Sequence, residues 1–138
     1  EIQQTSNITY RIYDYNRKDA EGNTRELHTE LAKDAIDYRL FNDSRPQYTA
    51  APNQPVQLAS CEYFTTTLLE IDRPIERNYE EIDSFVIYIC IQGDCMLKDN
   101  KGNSLTVEQG ESVLIPADTG SLHIIPGKNS KLLETFVE

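Results

Sequence analysis

Phe85-Val86-Ile87-Tyr88-Ile89-Cys90-Ile91-Gln92-Gly93-Asp94 is a nearly unbroken apolar run that stops at a glycine. A run of this length, rich in β-branched and aromatic residues, reads as a strand covered on both faces and central to its sheet. Downstream, Leu105 precedes Gly110-Glu111-Ser112-Val113-Leu114-Ile115-Pro116-Ala117. Gly93 and Gly110 suit turns that need positive φ. Pro116 ends a strand without having to donate to a ladder. Between the two stretches, Asp99-Asn100-Lys101-Gly102-Asn103 reads as a hairpin turn. Strands are predicted over 63–71, 85–91, 95–98, 105–107, 112–115, 122–125 and 132–137. Short strands at this spacing point to a sandwich or barrel.

The stretch from Phe85 to Ala117 resembles the cupin family, so the expected fold class is all-β: a cupin-like jelly-roll barrel. Cupins that bind a metal place two histidines and a glutamate in a first motif and one histidine in a second. Here the segment before the central strand reads Arg73-Pro74-Ile75-Glu76-Arg77-Asn78-Tyr79-Glu80-Glu81 and has no histidine. After Pro116 comes Asp118-Thr119-Gly120-Ser121, and His123 arrives two residues late. Zinc or iron needs three or four N/O ligands in one shell, so no metal is expected in this barrel. His123 reads as an ordinary strand histidine, and His28 as a surface or helix-flanking one.

The chain has 138 residues, enough for one domain that buries about two-thirds of its unfolded surface. Its formal net charge of −10 is the wrong sign for neutralising phosphates, so nucleic acid is not an expected partner. No 18-residue apolar run is present, so no membrane-spanning helix is expected. Cys61, Cys90 and Cys95 are odd in number and lack CxxC spacing, which suits buried free thiols in a cytoplasmic protein. The chain opens on Glu1 rather than Met, and a longer parent chain is expected.

Working towards the amino terminus, residues 42–57 hold Pro46, Pro52 and Pro55 and read as a linker. A short helix is predicted over 29–37, with Thr29 as N-cap, Glu30 at the positive end of the dipole, and Leu31, Ala32, Ala35 and Ile36 at helical spacing. Residues 8–15, ITYRIYDY, alternate Ile8, Tyr10 and Ile12 with Thr9, Arg11 and Tyr13, the pattern of a half-buried strand. Residues 1–4 could end another strand. The expected organisation is therefore 1–41 as the remnant of a preceding part (strand plus short helix), 42–57 as linker, and 58–138 as the barrel.

The string Glu1-Ile2-Gln3-Gln4, then Thr9-Tyr10-Arg11-Ile12-Tyr13-Asp14-Tyr15-Asn16-Arg17, and Arg25-Glu26-Leu27-His28, resembles the bacterial branch of the type I phosphomannose isomerase family. The resemblance extends through the linker into the terminal cupin-like domain. It implies an enzyme that interconverts mannose 6-phosphate and fructose 6-phosphate with one zinc, whose ligands precede Glu1. It implies Arg11 as the active-site arginine, catalytic and substrate-binding, and Glu1 as an active-site glutamate. The family's serine–acid pair stands here as Ser6-Asn7, and Asn7 cannot act as a carboxylate. A fragment without the zinc ligands is expected to be inactive, to bind no cofactor of its own, and to share the parent's sugar phosphate partner.

The residues suit that chemistry. Aldose–ketose isomerisation moves a proton between neighbouring carbons through an anionic enediolate, which a fixed cation must stabilise. Arg11 is always protonated and could serve the enediolate or the phosphate. On a strand, Thr9, Arg11 and Tyr13 would share one face. Glu1 could shuttle the proton or orient a metal ligand. The alternative reading is a non-catalytic, metal-free cupin module used for sugar binding or domain packing.

Overall fold

The computed structural model describes residues 2–137 except 4, 6, 41–44 and 46. The chain divides into two compact units, 1–44 and 45–138. Among the described residues every strand lies in the second unit.

The second unit is two antiparallel sheets. β1 (Pro55–Cys61), β2 (Phe64–Ile71), β9 (Ser130–Phe136), β4 (Val86–Gln92) and β7 (Ser112–Ile115) form one, in that spatial order. β3 (Ile75–Asn78), β8 (Ser121–Pro126), β5 (Asp94–Asp99) and β6 (Ser104–Glu108) form the other. This is the cupin-like, all-β architecture expected. The two sheets are not joined into one continuous ring of hydrogen-bonded strands.

Period-two alternation sets the inner faces. On β9, Ser130, Leu132, Glu134 and Phe136 are buried, with Lys131 and Leu133 half-buried between them. Leu69, Ile71, Val86 and Leu132 meet Leu97, Val107, Leu122 and Ile124 of the other sheet in one core. Each fully buried aliphatic side chain there contributes about 1.5–3 kcal/mol.

The apolar run is covered less completely than its sequence suggests. Val86, Tyr88 and Cys90 of β4 are buried, but Ile87 and Ile89 are half-buried and Ile91 is exposed. β4 also has the edge strand β7 as its neighbour. An apolar residue on the outer face of a sheet cannot be told from a second core face by periodicity alone. Gly93 then carries the chain from one sheet to the other at φ +72, and a Cβ there would lie 3.0 Å from the Asn129 carbonyl.

Two strands go beyond expectation. β1 begins at Pro55, inside the stretch read as linker, and β3 occupies the histidine-free segment. Both are edge strands, where weak apolar patterning and a proline at the first position are tolerated. Of the three free thiols, Cys90 and Cys95 are buried, whereas Cys61, at the end of edge strand β1, is exposed.

In the first unit, α1 spans Thr29–Ala35, two residues shorter than expected. His28, not Thr29, is the N-cap residue, and it makes no side-chain cap bond. Ile36 turns extended, and the Tyr38 hydroxyl donates to the Lys33 carbonyl, one of the last-turn acceptors left without a helical partner.

Residues 8–15 are not a strand. Ile8, Ile12, Tyr13 and Tyr15 are each at least 60% exposed. Alternation marks which face a sheet would bury, but it does not supply the neighbouring strand. Among the described residues this unit forms a single bridge, Lys18 with Thr24. That bridge closes around Asp19-Ala20-Glu21-Gly22-Asn23, in which the Asp19 carboxylate accepts from the backbone N–H groups of Glu21 and Asn23. The β5–β6 hairpin repeats the same device, Asp99 accepting from Lys101 and Asn103. Each Asp-x-x-Gly-Asn turn puts its glycine at positive φ.

Candidate functional site

Arg11 lies on an irregular segment held by a second one running back towards the helix. Its backbone N–H donates to His28 Nδ1 at 3.1 Å, and the His28 N–H donates to the Arg11 carbonyl at 2.7 Å. Its guanidinium Nη1 donates to the Glu26 carbonyl at 3.0 Å. Arg11 is thus positioned by backbone acceptors and a histidine, not by a sheet. Thr9, Arg11 and Tyr13 share no strand face, because there is no strand. Asn7 is exposed, and Glu1 and Ser6 lie outside the described residues.

Sequence reasoning passed over the residues beside Arg11. Asp14 is 7% exposed, and Ala32 is the only other described residue of the first unit buried so deeply. Its Oδ2 accepts from Arg25 Nε at 2.8 Å, and Arg25 Nη2 closes on its Oδ1. Arg17 Nε stands 3.4 Å from the same Oδ1. The bond from Arg25 outweighs burial and, with the charges of Arg25, Arg17 and Arg11, holds the Asp14 carboxyl below the ordinary range. Tyr15 and Asn16 both adopt φ 53, in a turn closed by the Arg17 N–H on the Asp14 carbonyl. That turn brings Arg17 back over Asp14 and over the Tyr15 ring, 5.5 Å from its centroid. Tyr13, Asp14, Asn16, Arg17, Thr24 and Arg25 line a cavity of about 190 Å³. The signal was available: three arginines within fifteen residues of an acidic chain, with Asp14 between the first two.

The interior between the sheets holds a second polar constellation. Glu134 points inward from β9, in register with Thr67 of β2 on one side and Tyr88 of β4 on the other. Its Oε1 accepts from Arg77 Nε at 3.0 Å, Tyr79 at 2.8 Å and Tyr88 at 2.6 Å. Its Oε2 accepts from Thr67 at 2.9 Å and Arg77 Nη2 at 2.9 Å. A carboxylate has about four lone-pair sites, and five donors leave none for a metal or ligand. The network therefore acts as an internal strut. An acid between Leu132 and Phe136 on a buried face, and an arginine between Ile75 and Tyr79, were its sequence signals.

His123 is on β8 between buried Leu122 and Ile124, so it faces outward; its Nε2 lies 3.9 Å from Glu76. Among the described residues, no group of three or more His, Cys, Asp or Glu is placed to hold a metal.

Residues 56–129 match the family model described as mannose-6-phosphate isomerase, cupin domain. The chain is 31% identical over 122 residues to a putative mannose-6-phosphate isomerase, YvyI, of Bacillus subtilis, covering 85% of this chain and 37% of that protein. It is 40% identical over 70 residues to the mannose-6-phosphate isomerase ManA of the same organism, covering 51% of this chain and 20% of that protein. The chain thus spans well under half the length of these relatives. Among solved structures, a mannose 6-phosphate isomerase from B. subtilis superposes with a TM-score of 0.69 at 24% identity, over 93% of this chain and 40% of that one. A cupin-2 domain protein from Shewanella frigidimarina superposes with a TM-score of 0.55 at 13% identity, over 65% of this chain and 85% of that one. At those identities the likeness speaks for the fold alone.

Proposed function

Because the chain belongs to the mannose-6-phosphate isomerase cupin-domain family, we propose that it is the carboxy-terminal part of such an isomerase, of type I. The observation that carries this reading is the alignment with YvyI, which covers 85% of the chain and so reaches well before the cupin domain. In this reading residues 1–41 end the catalytic part, 42–57 connect, and 58–138 are an accessory domain braced by Arg77 and Glu134.

The reaction read for the parent protein interconverts mannose 6-phosphate and fructose 6-phosphate. The proton moves between adjacent carbons, and negative charge builds on the enediolate oxygens between the two transfers. Arg11 is the fixed cation assigned to that charge or to the phosphate. Its guanidinium donates to a neutral acceptor, the Glu26 carbonyl, while its backbone N–H is held on His28 Nδ1, so these bonds position Arg11 without pairing its charge directly with a carboxylate. Glu1 is read as the carboxylate that moves the proton or orients a metal ligand.

Zinc belongs to this reading only through residues that precede Glu1. The described residues do not furnish a donor set for it, and no step here runs through it. On the same reading the 138-residue chain is inactive by itself, and the whole enzyme is cytoplasmic.

The coding sequence upstream of Glu1 tests this. A Gln-x-His pair, a later glutamate and a final histidine shortly before Glu1 are expected. A gene that starts at Glu1 would instead favour a stand-alone metal-free module for sugar binding or packing.

A further inference from the structure

We propose that His28 is a positioning residue for Arg11, and that it holds the arginine only while its imidazole is uncharged. Its bearing on turnover rests on the isomerase reading above. The linkage between the two residues does not.

The bond between them fixes a tautomer. The Arg11 backbone N–H donates to His28 Nδ1 at 3.1 Å. That nitrogen therefore carries no proton, and the neutral ring carries its one proton on Nε2. An imidazolium is a donor at both nitrogens and an acceptor at neither. Charging His28 sets two N–H groups against each other across a hydrogen-bond distance, so the bond is lost.

The placement of the ring is not explained by the helix it precedes. His28 is the N-cap residue of α1, where a side-chain acceptor ordinarily takes an N–H of the first turn. His28 makes no such bond. Its acceptor is turned instead to a residue seventeen positions earlier. Its backbone ties the two places together: its N–H donates to the Arg11 carbonyl at 2.7 Å, and its carbonyl accepts from the N–H of buried Ala32 at 2.9 Å. The start of the helix is thus the post from which His28 reaches Arg11.

Loss of the Nδ1 bond is felt at the guanidinium. What remains is the bond to the Arg11 carbonyl and the one from Nη1 to the Glu26 carbonyl at 3.0 Å. With the amide released, the chain pivots about these two and the charged group leaves its set position. A cation that stabilises a reacting anion must be held within about 0.5 Å of its productive place. The His28 side chain keeps 23% of its surface, so protons reach it. Facing it, Glu26 Oε2 lies 3.8 Å from Nε2 on a side chain 84% exposed, and Arg11 brings its guanidinium to the Glu26 carbonyl. On α1, the nearest acid in sequence, Glu30, is taken up by Lys33 at 2.7 Å, and Arg25 before the helix closes on Asp14.

The test uses the complete polypeptide of the gene, labelled with ¹⁵N-histidine and ¹⁵N-arginine, beside His28→Asn and His28→Ala. Asparagine offers an uncharged Oδ1 in the place of Nδ1 and suits an N-cap, whereas alanine offers no acceptor. Above the midpoint of its titration, His28 should show an unprotonated Nδ1. On acidification the Arg11 amide signal should shift with the same midpoint as the His28 ring, and His28→Asn should abolish that step. For mannose 6-phosphate isomerisation, kcat/KM should fall in acid at that midpoint. Above it, His28→Ala should lower kcat/KM about tenfold, as for one lost hydrogen bond, while His28→Asn stays within about twofold of the unmodified enzyme. Below it, the unmodified enzyme should approach the alanine variant, and the asparagine variant should not. An Arg11 amide indifferent to the His28 titration overturns the proposal. So does an asparagine variant that keeps the step or is as slow as the alanine variant. If His28→Ala fails to fold, the asparagine comparison decides alone. Absence of turnover in the unmodified polypeptide would sink the isomerase reading alone, because the spectra still report the linkage. Normal turnover with an indifferent amide would sink this inference alone.

Discussion

Arg77 and Glu134 stand on opposite sheets and close on each other as a fork, Nε to Oε1 at 3.0 Å and Nη2 to Oε2 at 2.9 Å. Glu134 has no exposed surface, whereas the Arg77 side chain keeps 21%. Partial exposure lowers the cost of burying the guanidinium, and the hydroxyls of Thr67, Tyr79 and Tyr88 replace the water that the carboxylate gave up. β3 is a four-residue edge strand, and this pair ties it to the centre of the larger sheet.

Removing one partner should therefore cost more than removing both. Glu134→Ala is expected to destabilise the protein by about 3–5 kcal/mol, since it leaves a buried guanidinium unpaired. Arg77→Met combined with Glu134→Leu should recover part of that loss, though Tyr79, Tyr88 and Thr67 still lose their acceptor. Urea denaturation gives both values. A Glu134→Ala protein within 1 kcal/mol of the unmodified one would show that the strut bears little.

The same pair makes stability depend on acid. Burial pushes the Glu134 carboxyl up, but the hydrogen bonds and charge of Arg77, aided by Tyr88 and Tyr79, bring it below its ordinary value. A carboxyl depressed in the folded state adds stability that is complete above its unfolded pKa. That stability is lost as pH falls through the lower folded one. Unfolding midpoints should thus fall as the pH drops below about 4.5. The slope should be shallower in Glu134→Gln, and identical slopes would remove Glu134 from the explanation.

The thiols should divide by burial. Cys61 is exposed, while Cys90 and Cys95 are buried and burial pushes the Cys95 thiol up to about 12. A thiol-specific disulfide reagent at pH 8 should modify Cys61 promptly and reach the other two only on unfolding. Rapid labelling of Cys95 in the native protein would contradict the packing described.

Gly93 and Gly102 both have positive φ, but only Gly93 is enclosed. Gly102→Ala should cost about 1 kcal/mol for the backbone conformation alone. Gly93→Ala adds a contact with the Asn129 carbonyl and should cost about 2–3 kcal/mol. Thermal melts of the two variants make the comparison, and equal losses would mean the chain near Asn129 yields freely.

The barrel was largely legible because its strands carry their own punctuation. Gly93, Gly110, Pro116 and the Asp99 turn fall where the chain reverses or stops, and period-two burial follows them. Arg77 and Glu134 escaped notice because each looks like an ordinary strand charge until the register sets them face to face across the core. Residues 8–15 misled for the opposite reason. Their alternation is real, but a strand is a property of a pair, and among the described residues no strand lies beside them. Arg11 is singled out only by the family resemblance of its string, whereas its contact with His28 and the neighbouring Asp14–Arg25 pair join segments that no spacing rule connects.

The most direct measurement is formation of fructose 6-phosphate from mannose 6-phosphate, with zinc supplied. It compares the 138-residue chain, the complete polypeptide of its gene, and that polypeptide carrying Arg11→Gln. The chain alone should show no turnover and the complete polypeptide should be active. Arg11→Gln should lower kcat by about 10²–10³, the usual loss when one fixed charge-stabilising donor is removed. Turnover by the 138-residue chain, or an Arg11→Gln enzyme of undiminished kcat, would contradict the account.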